Sequence, residues 1–393
     1  MYGVTTACVE LACALLATSG DATAETEKGP VTLSATYTGE TWANVRGGLR
    51  RGTRYLDNLD VTIEVDASRA LGWSGATIFL YGLYNNDATL SDELVGDVQT
   101  VSNIDTNRAV RLYEAWIDQR LLSDRLSLRL GLYDLNSEFD TTDSRGLFIN
   151  SSHGIGPDFS QTGRNGPSIF PVTSLSFRAE YKPNDNWLVR AAVIDGVPGD
   201  PERPARTAIK LGDGDGALVV AELNYLTGGS KLGVGYWRYT SRFERFALTP
   251  NEQDKRRGND GFYFLAEQRL SRRADGEGGL VAFARIGWAD AAFNPIHRYV
   301  GAGAVYTGPV AKRPDDQLGI AVGWVEFGRP YRRASGLAGG LSGPREVTTE
   351  LTYRAAINDW LTLQPNLQYV FNPGGDTSLK DAAVAGLRFE IGF

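Results

Sequence analysis

The chain closes with Val384-Ala385-Gly386-Leu387-Arg388-Phe389-Glu390-Ile391-Gly392-Phe393. Leu387, Phe389, Ile391 and Phe393 are apolar, and Arg388, Glu390 and Gly392 stand between them. Alternation at period two is the pattern of a strand whose two faces meet different media. The same pattern runs backward through the sequence. Leu361, Leu363, Pro365, Leu367, Tyr369 and Phe371 alternate with Thr362, Gln364, Asn366 and Gln368. Leu126, Leu128, Leu130 and Leu132 alternate with Ser127, Arg129 and Gly131, and Leu175, Phe177, Ala179 and Tyr181 with Ser176, Arg178 and Glu180. Leu59, Val61, Ile63 and Val65 alternate with Asp60, Thr62 and Glu64.

About sixteen such segments fill the chain, starting near residues 31, 57, 75, 109, 126, 173, 187, 217, 231, 261, 279, 299, 317, 347, 360 and 384. Most are about 9–12 residues long, enough for a tilted strand to cross a bilayer. Short links at 120–125, 184–186, 227–230 and 357–359 alternate with long ones at 85–108, 136–172, 196–216, 241–260, 328–346 and 372–383. An even number of strands with short turns on one side and long loops on the other predicts an all-β fold: an antiparallel outer-membrane barrel of about sixteen strands. Tyr37, Trp187, Trp288, Tyr306, Trp324 and Tyr369 fall near strand ends, where aromatic girdles form. A soluble β-sandwich would place polar residues outside and bulky apolar ones inside. The Arg- and Glu-rich face of these segments suits a wet lumen instead.

Composition narrows the function. Of 393 residues, 42% are hydrophobic and 22% charged, which is not a disordered composition. Gly is abundant at 46 residues, and the net charge of −7 argues against nucleic acid as a partner. With two His and two Cys, most zinc, haem and iron–sulfur centres are excluded, and neither a cofactor nor a metal is expected. A mean hydropathy of −0.25 fits a barrel whose strands are half polar. A serine hydrolase would need His153 or His297, the two histidines, and no Gly-x-Ser-x-Gly elbow appears, so no enzyme is expected. Residues 1–24 read as an export signal ending at Ala22-Thr23-Ala24, with residues 25–393 as one barrel domain. Cys8 and Cys13 both lie in that leader.

Across almost all of residues 25–393, the sequence resembles the carbohydrate-selective porin family (porin B). The matching pieces include Gly47-Gly48 with Arg51-Gly52, Leu71-Gly72-Trp73 with Gly75-Ala76-Thr77, and Arg111 through Trp116. Gly131 through Asp134, Ser137 through Phe139, Phe148 through Ser152, Gly166 through Ser168 and Asp195-Gly196 follow. Tyr306 through Pro309 with Arg313 through Asp316, and Gln364-Pro365 through to Asn372-Pro373-Gly374-Gly375, complete the series. The resemblance implies a sixteen-stranded barrel in a Gram-negative outer membrane that passes sugars, without fixing which sugar. It also implies that Phe393, with Ile391 and Phe389, is read by the barrel-assembly machinery. Lipid and lipopolysaccharide are the other expected partners, and monomer and homotrimer both stay open. The alternatives are a porin for other small polar solutes or ions (glycerol, organic acids, metal ions) and a loop-based outer-membrane receptor or adhesin.

Sugar chemistry then selects candidate residues. Planar charged groups make paired hydrogen bonds to vicinal hydroxyls, and aromatic rings lie against the C–H face. The longest connection, 136–172, is expected to fold inward and narrow the lumen, since a long segment without alternation usually has a function. The expected constriction and substrate-binding set is Glu114, Trp116, Arg129, Glu138, Arg145, Asn150, Arg164, Arg178, Glu180 and Arg190. Phe283 and Trp237 share the parity of lumen residues, Arg178 and Arg190 suggest a basic stripe, and Asp140, Asp143 and Asp158 offer a Ca²⁺ alternative without a known loop signature. Interleaved charges argue against a purely anion- or cation-selective wall.

Overall fold

Period-two alternation leaves each segment with a row of unpaired backbone groups on either edge, and in lipid only closure into a barrel satisfies them all. The computed structural model describes residues 29–86, 89–246, 254–273, 278–337 and 343–393; the expected leader lies outside the described residues. Sixteen of the described strands pair antiparallel in chain order and the first pairs with the last, while Phe243–Glu244 and Lys255–Arg256 pair only with each other. They are β1 (Val31–Gly48), β2 (Gly52–Asp66), β3 (Ala76–Asn85), β4 (Ala109–Leu121), β5 (Leu126–Tyr133), β6 (Ser174–Asn184), β7 (Trp187–Asp195) and β8 (Ala217–Thr227). The second half comprises β9 (Ser230–Tyr239), β10 (Asp260–Arg269), β11 (Gly279–Ala289), β12 (Ile296–Thr307), β13 (Gln317–Phe327), β14 (Arg345–Asn358), β15 (Leu361–Phe371) and β16 (Lys380–Gly392). Thr36 opposite Gly392 and Trp42 opposite Gly386 mark the register that closes the barrel. Strand lengths run from 8 residues in β5 to 18 in β1, a wider range than the alternation suggests.

One end carries short turns, such as 185–186 and 228–229; the long connections leave the other. The β2–β3 link contains a helical turn, Ala67–Leu71, capped by Asp66 at 2.9 Å from the Ser68 N–H. Exposed Val219, Leu223, Leu367 and Ile320 mark the lipid face. Aromatic pairs stand on this face, Trp187 with Tyr225 and Phe262 with Trp288, both 4.9 Å between ring centres.

The inner face departs from simple polarity where loops enter the barrel. Residues 134–173, containing the expected inward loop, do fold into the lumen. Their Leu135, Phe139, Ile155 and Phe159 pack with wall residues Leu218, Val220, Trp237, Tyr239, Tyr263 and Leu265. Upper β8 therefore reads apolar on both faces, because lipid covers one and a loop covers the other. A second loop, between β3 and β4 and described over residues 89–108, also turns inward, which the sequence reading did not anticipate. Its Leu90, Leu94, Val95 and Val101 pack on Trp42, Leu56, Val370 and Val384. Burying each large apolar side chain contributes about 1.5–3 kcal/mol, so both loops are held partly by ordinary core packing.

Leu367 stands near the middle of β15, and Leu71 in a turn; both are exposed. Leu367→Arg is expected to lower the unfolding free energy in lipid vesicles by about 2–4 kcal/mol, and Leu71→Arg by no more than about 1 kcal/mol. Urea unfolding followed by tryptophan fluorescence checks both; equal losses would remove Leu367 from the lipid-facing belt.

Candidate functional site

Loop 134–173 is fixed by wall side chains. Arg285 on β11 is fully buried; its Nη2 lies 2.8 Å from Asp140 Oδ2, and its Nη1 pairs with Asp158. The rings of Tyr263 and Tyr299 lie 5.2 and 5.4 Å from the guanidinium carbon. A Cβ at Gly156 or Gly287 would run into that guanidinium, so both positions need glycine. Asp140 sits at φ 53, in the left-handed region that Asp tolerates, with its N–H donated to Glu222 at 2.8 Å. Burial opposes the charge on Asp140, but Arg285 and Arg145 overcome it and hold the carboxyl below its usual range.

Wall carboxylates also accept loop backbone amides. Glu267 accepts from Ser144 at 2.8 Å, and Glu350 from Ile149 and Asn150 at 2.8 and 3.0 Å. Loop 89–108 is held the same way: Glu346 accepts from Val98 and Gln99 at 3.0 and 3.2 Å. Glu40, which takes the Trp42 N–H at 2.5 Å and the Ser102 hydroxyl at 2.6 Å, is paired with Arg388.

Beside loop 134–173, charged and aromatic groups meet on β4–β7. A bulge in β4 pairs Glu114 with Tyr81 and Leu112 with Gly82, so Tyr113 and Glu114 are both buried and neither joins the exposed lipid face. Trp116 donates its indole N–H to Glu114 at 3.1 Å and stacks on Phe79 at 4.8 Å. The Arg129 guanidinium lies 3.8 Å from the Trp116 ring centre and bonds Asp118 at 3.1 Å. Arg178 bridges Asp118 at 3.0 Å and Glu138 at 2.8 Å. Arg190 pairs with Glu180 at 2.6 Å and donates to the Glu138 carbonyl at 2.7 Å. The result is a ladder of alternating charge, not a basic stripe. Arg129 and Glu138 keep 14% and 16% of their side-chain surface open, enough to meet a solute. Arg178 keeps 2% and is enclosed by its partners Asp118 and Glu138.

A single-chain barrel of sixteen strands whose longest loop narrows a lumen with paired charges is the arrangement of a selective channel. The family model of the carbohydrate-selective porins, the OprB family, matches residues 50–393. The chain belongs to that family. It is an outer-membrane porin for carbohydrates, similar over 397 residues at 25% identity to Porin B of Pseudomonas aeruginosa, covering 91% of this chain and 86% of the relative. The high-pH structure of Pseudomonas putida OprB superposes with a TM-score of 0.83 at 22% identity, covering 93% and 94% of the two chains. The outer-membrane channel DcaP of Acinetobacter baumannii shares the fold at a TM-score of 0.56 and 10% identity, covering 95% of this chain and all of that one.

In this OprB-family barrel, Glu114, Trp116, Arg129, Glu138, Arg178, Glu180 and Arg190 come together. Three others do not line the lumen. Arg145 is buried, donating to the His153 carbonyl at 2.8 Å and pairing with Asp140 at 3.1 Å, so it ties the loop to itself. Asn150 is buried as the cap of a short helix and donates to Gln368 at 3.0 Å. Arg164 sits among the long loops, 3.3 Å from Asp215. Trp237 and Phe283 do face inward, but the loop covers them: Phe159 stacks on Trp237 at 5.2 Å, and Phe148 meets Phe283 at 5.5 Å. Asp140 and Asp158 are committed to Arg285, which leaves no ligand set for the Ca²⁺ alternative. Asp118, which by its parity with Glu114 and Trp116 reads as an inward acid, joins this group through Arg129 and Arg178; the bulge at Tyr113 leaves no such mark in the sequence.

Arg285→Gln leaves buried Asp158 without its cation and Asp140 with Arg145 alone, a loss of about 3–5 kcal/mol for the inserted loop. The expected result is a larger, noisier single-channel conductance and new protease cleavage within 134–173, with the barrel still resistant to sodium dodecyl sulfate before heating. Unchanged conductance would show that the loop does not depend on Arg285.

His153 is fully buried between Phe148 and Phe283, with no partner for either ring nitrogen. Burial, with Arg145 adding, pushes its pKa from 6.5 down to about 3. An imidazole whose pKa falls on insertion takes up its proton only when the loop lets go. Its contribution is therefore complete above about pH 6.5 and shrinks by about 2 kcal/mol by pH 5. Open-channel noise is expected to match between the parent and His153→Phe at pH 7.5, with the parent noisier at pH 5. Equal noise at pH 5 would contradict the assignment.

Proposed function

We propose that sugars diffuse through this barrel down their gradient, held briefly where Trp116 and Arg129 meet Glu138. The observation that carries this reading is the Arg129 guanidinium, 3.8 Å over the Trp116 ring and still partly open. It presents planar paired donors beside an aromatic face, the two chemistries a sugar ring offers to match. Glu114 and Asp118 hold these groups in place, and Glu180 with Arg190 extends the ladder toward the short-turn end. Every charge in the ladder already has a partner, so a hydroxyl exchanges one bond for another. That keeps binding weak enough for release. No covalent step and no cofactor belong to this reading.

The assembly partners are part of the same proposal. Phe393 is exposed beyond the last strand, as a terminal residue read by assembly machinery would be. Lipid and lipopolysaccharide would surround the apolar belt. A homotrimer would bring neighbouring barrels together there, where Val45, Ile320, Leu351 and Leu367 border a hollow of about 360 Å³.

Trp116→Ala is expected to raise the sugar concentration that half-blocks the channel by about 2- to 10-fold, the equivalent of roughly 0.5–1.5 kcal/mol. Arg129→Lys, which keeps the charge and loses the planar fork, should shift it in the same direction. Sugar titration in planar bilayers reads both; parental block in both variants would move the binding locus away from this pair.

A further inference from the structure

A cavity of about 570 Å³ lies between loop 89–108, loop 134–173 and strands β2–β4. Its charged lining residues are Asp60, Asp105, Glu114 and Asp134, with no Lys or Arg among them. Neutral groups hold these carboxylates. Tyr81 donates to Asp60 at 2.7 Å, and Tyr113 to Asp134 at 2.6 Å. Asp105 accepts the Leu90 and Ser91 N–H groups at 3.3 and 2.8 Å, and Glu114 accepts the Asp134 N–H and the Trp116 indole N–H, both at 3.1 Å. The guanidinium groups nearest this wall are already committed, Arg129 to Asp118 and Arg388 to Glu40.

The second large cavity, about 790 Å³ at the short-turn end, is balanced. Asp143, Asp185 and Glu267 face Arg190, Lys231 and Arg269 there. The long-loop cavity is thus one-signed and the other is not. The long-loop cavity also carries an apolar side: Tyr113 stands edge-on to Tyr81 at 4.9 Å and to Phe170 at 6.2 Å.

We propose that this cavity makes the porin discriminate among sugars by charge, favouring those with an ammonium group over neutral ones and neutral ones over sugar acids. The proposal rests on the sugar-porin reading above. Hydrogen bonds from hydroxyls and amides orient a carboxylate but do not cancel its charge. A cleft of one sign with low-dielectric walls concentrates the opposite charge. A sugar's ammonium can donate charge-assisted bonds to these oxygens while its ring lies against Tyr81, Tyr113 or Phe170. A sugar carboxylate meets like charge and finds no cation in the lining. Neutral sugars keep their hydroxyl bonds and lose only the charge contribution. Interleaving of positive and negative groups therefore holds for the ladder and the short-turn cavity, not for the long-loop entrance.

The test is block of the reconstituted full-length channel by glucose, glucosamine and gluconate at pH 7.0. At low salt, glucosamine should half-block at roughly 5-fold lower concentration than glucose, the factor for one opposite charge at about 4 Å in water-like dielectric, and gluconate at a higher concentration than glucose. The three values should converge at 1 M salt, where the screening length is about 3 Å. In the Asp60→Asn, Asp105→Asn double variant, confirmed as folded by its heat-modifiable band, the glucosamine-to-glucose ratio should move toward one. Block by all three sugars at one concentration, or tightest block by gluconate, overturns the charge discrimination and leaves the sugar-porin reading standing. No block by any of the three overturns the porin reading, and the discrimination falls with it.

Discussion

Arg285, fully buried between Asp140 and Asp158, is the interaction on which the interior depends. A barrel of sixteen strands is wide enough to leave an aqueous channel if nothing enters it. What converts the wide tube into a selective one is a loop, and a loop inside a lumen must satisfy its own backbone away from bulk water. The charged pair supplies one anchor. Glu222, Glu267 and Glu350 supply the rest by accepting loop N–H groups from three separate strands. A buried cation between two carboxylates adds little net stability compared with apolar packing, but it defines one geometry, since removing either sign leaves the other uncompensated. The apolar contacts of Phe139, Ile155 and Phe159 give the loop its affinity for the wall, and the charges determine where it lands.

That landing places Glu138 against Arg129 and Arg178, and so completes a ladder whose other members lie on β4–β7. Wall and loop each contribute an incomplete set of charges, and together Arg129, Arg178 and Arg190 are matched by Asp118, Glu138 and Glu180. Loop 89–108 plays a parallel part on the opposite wall through Glu40 and Glu346, and its inner surface bounds the long-loop cavity. The interior therefore holds two different environments: an acidic chamber with aromatic sides, and a region of matched charges beside Trp116.

Much of the barrel was legible in the sequence because period two is imposed by chain geometry and lipid enforces it on one face. The strand starts fall within a few residues of those read from alternation, and the long and short connections sit at opposite ends as expected. The alternation failed where lumen residues are apolar, as at Leu218 and Val220, since there the inner medium is a loop and not water. It also missed the bulge at Tyr113, because a register shift of one residue leaves no compositional trace. Arg145 and Asn150 look identical to lumen-lining residues in a sequence. Only their partners, Asp140 for one and Gln368 for the other, show that they hold the loop together.

The sequence by itself determined the medium and the architecture: sixteen amphipathic strands, closed, in a membrane, with loops long on one side. These follow from local periodicity and from the requirement that every backbone group in lipid be paired. The tertiary structure alone decided that a second loop, carrying Leu90, Leu94, Val95 and Val101, also turns inward, which charges meet and which remain unpaired. Glu138 and Arg178 are 40 residues apart, Glu346 and Val98 are 248 apart, and no local pattern records such meetings. Pairing across a lumen depends on the barrel's circumference and on where each loop re-enters, and those are properties of the closed tube, not of any strand in it.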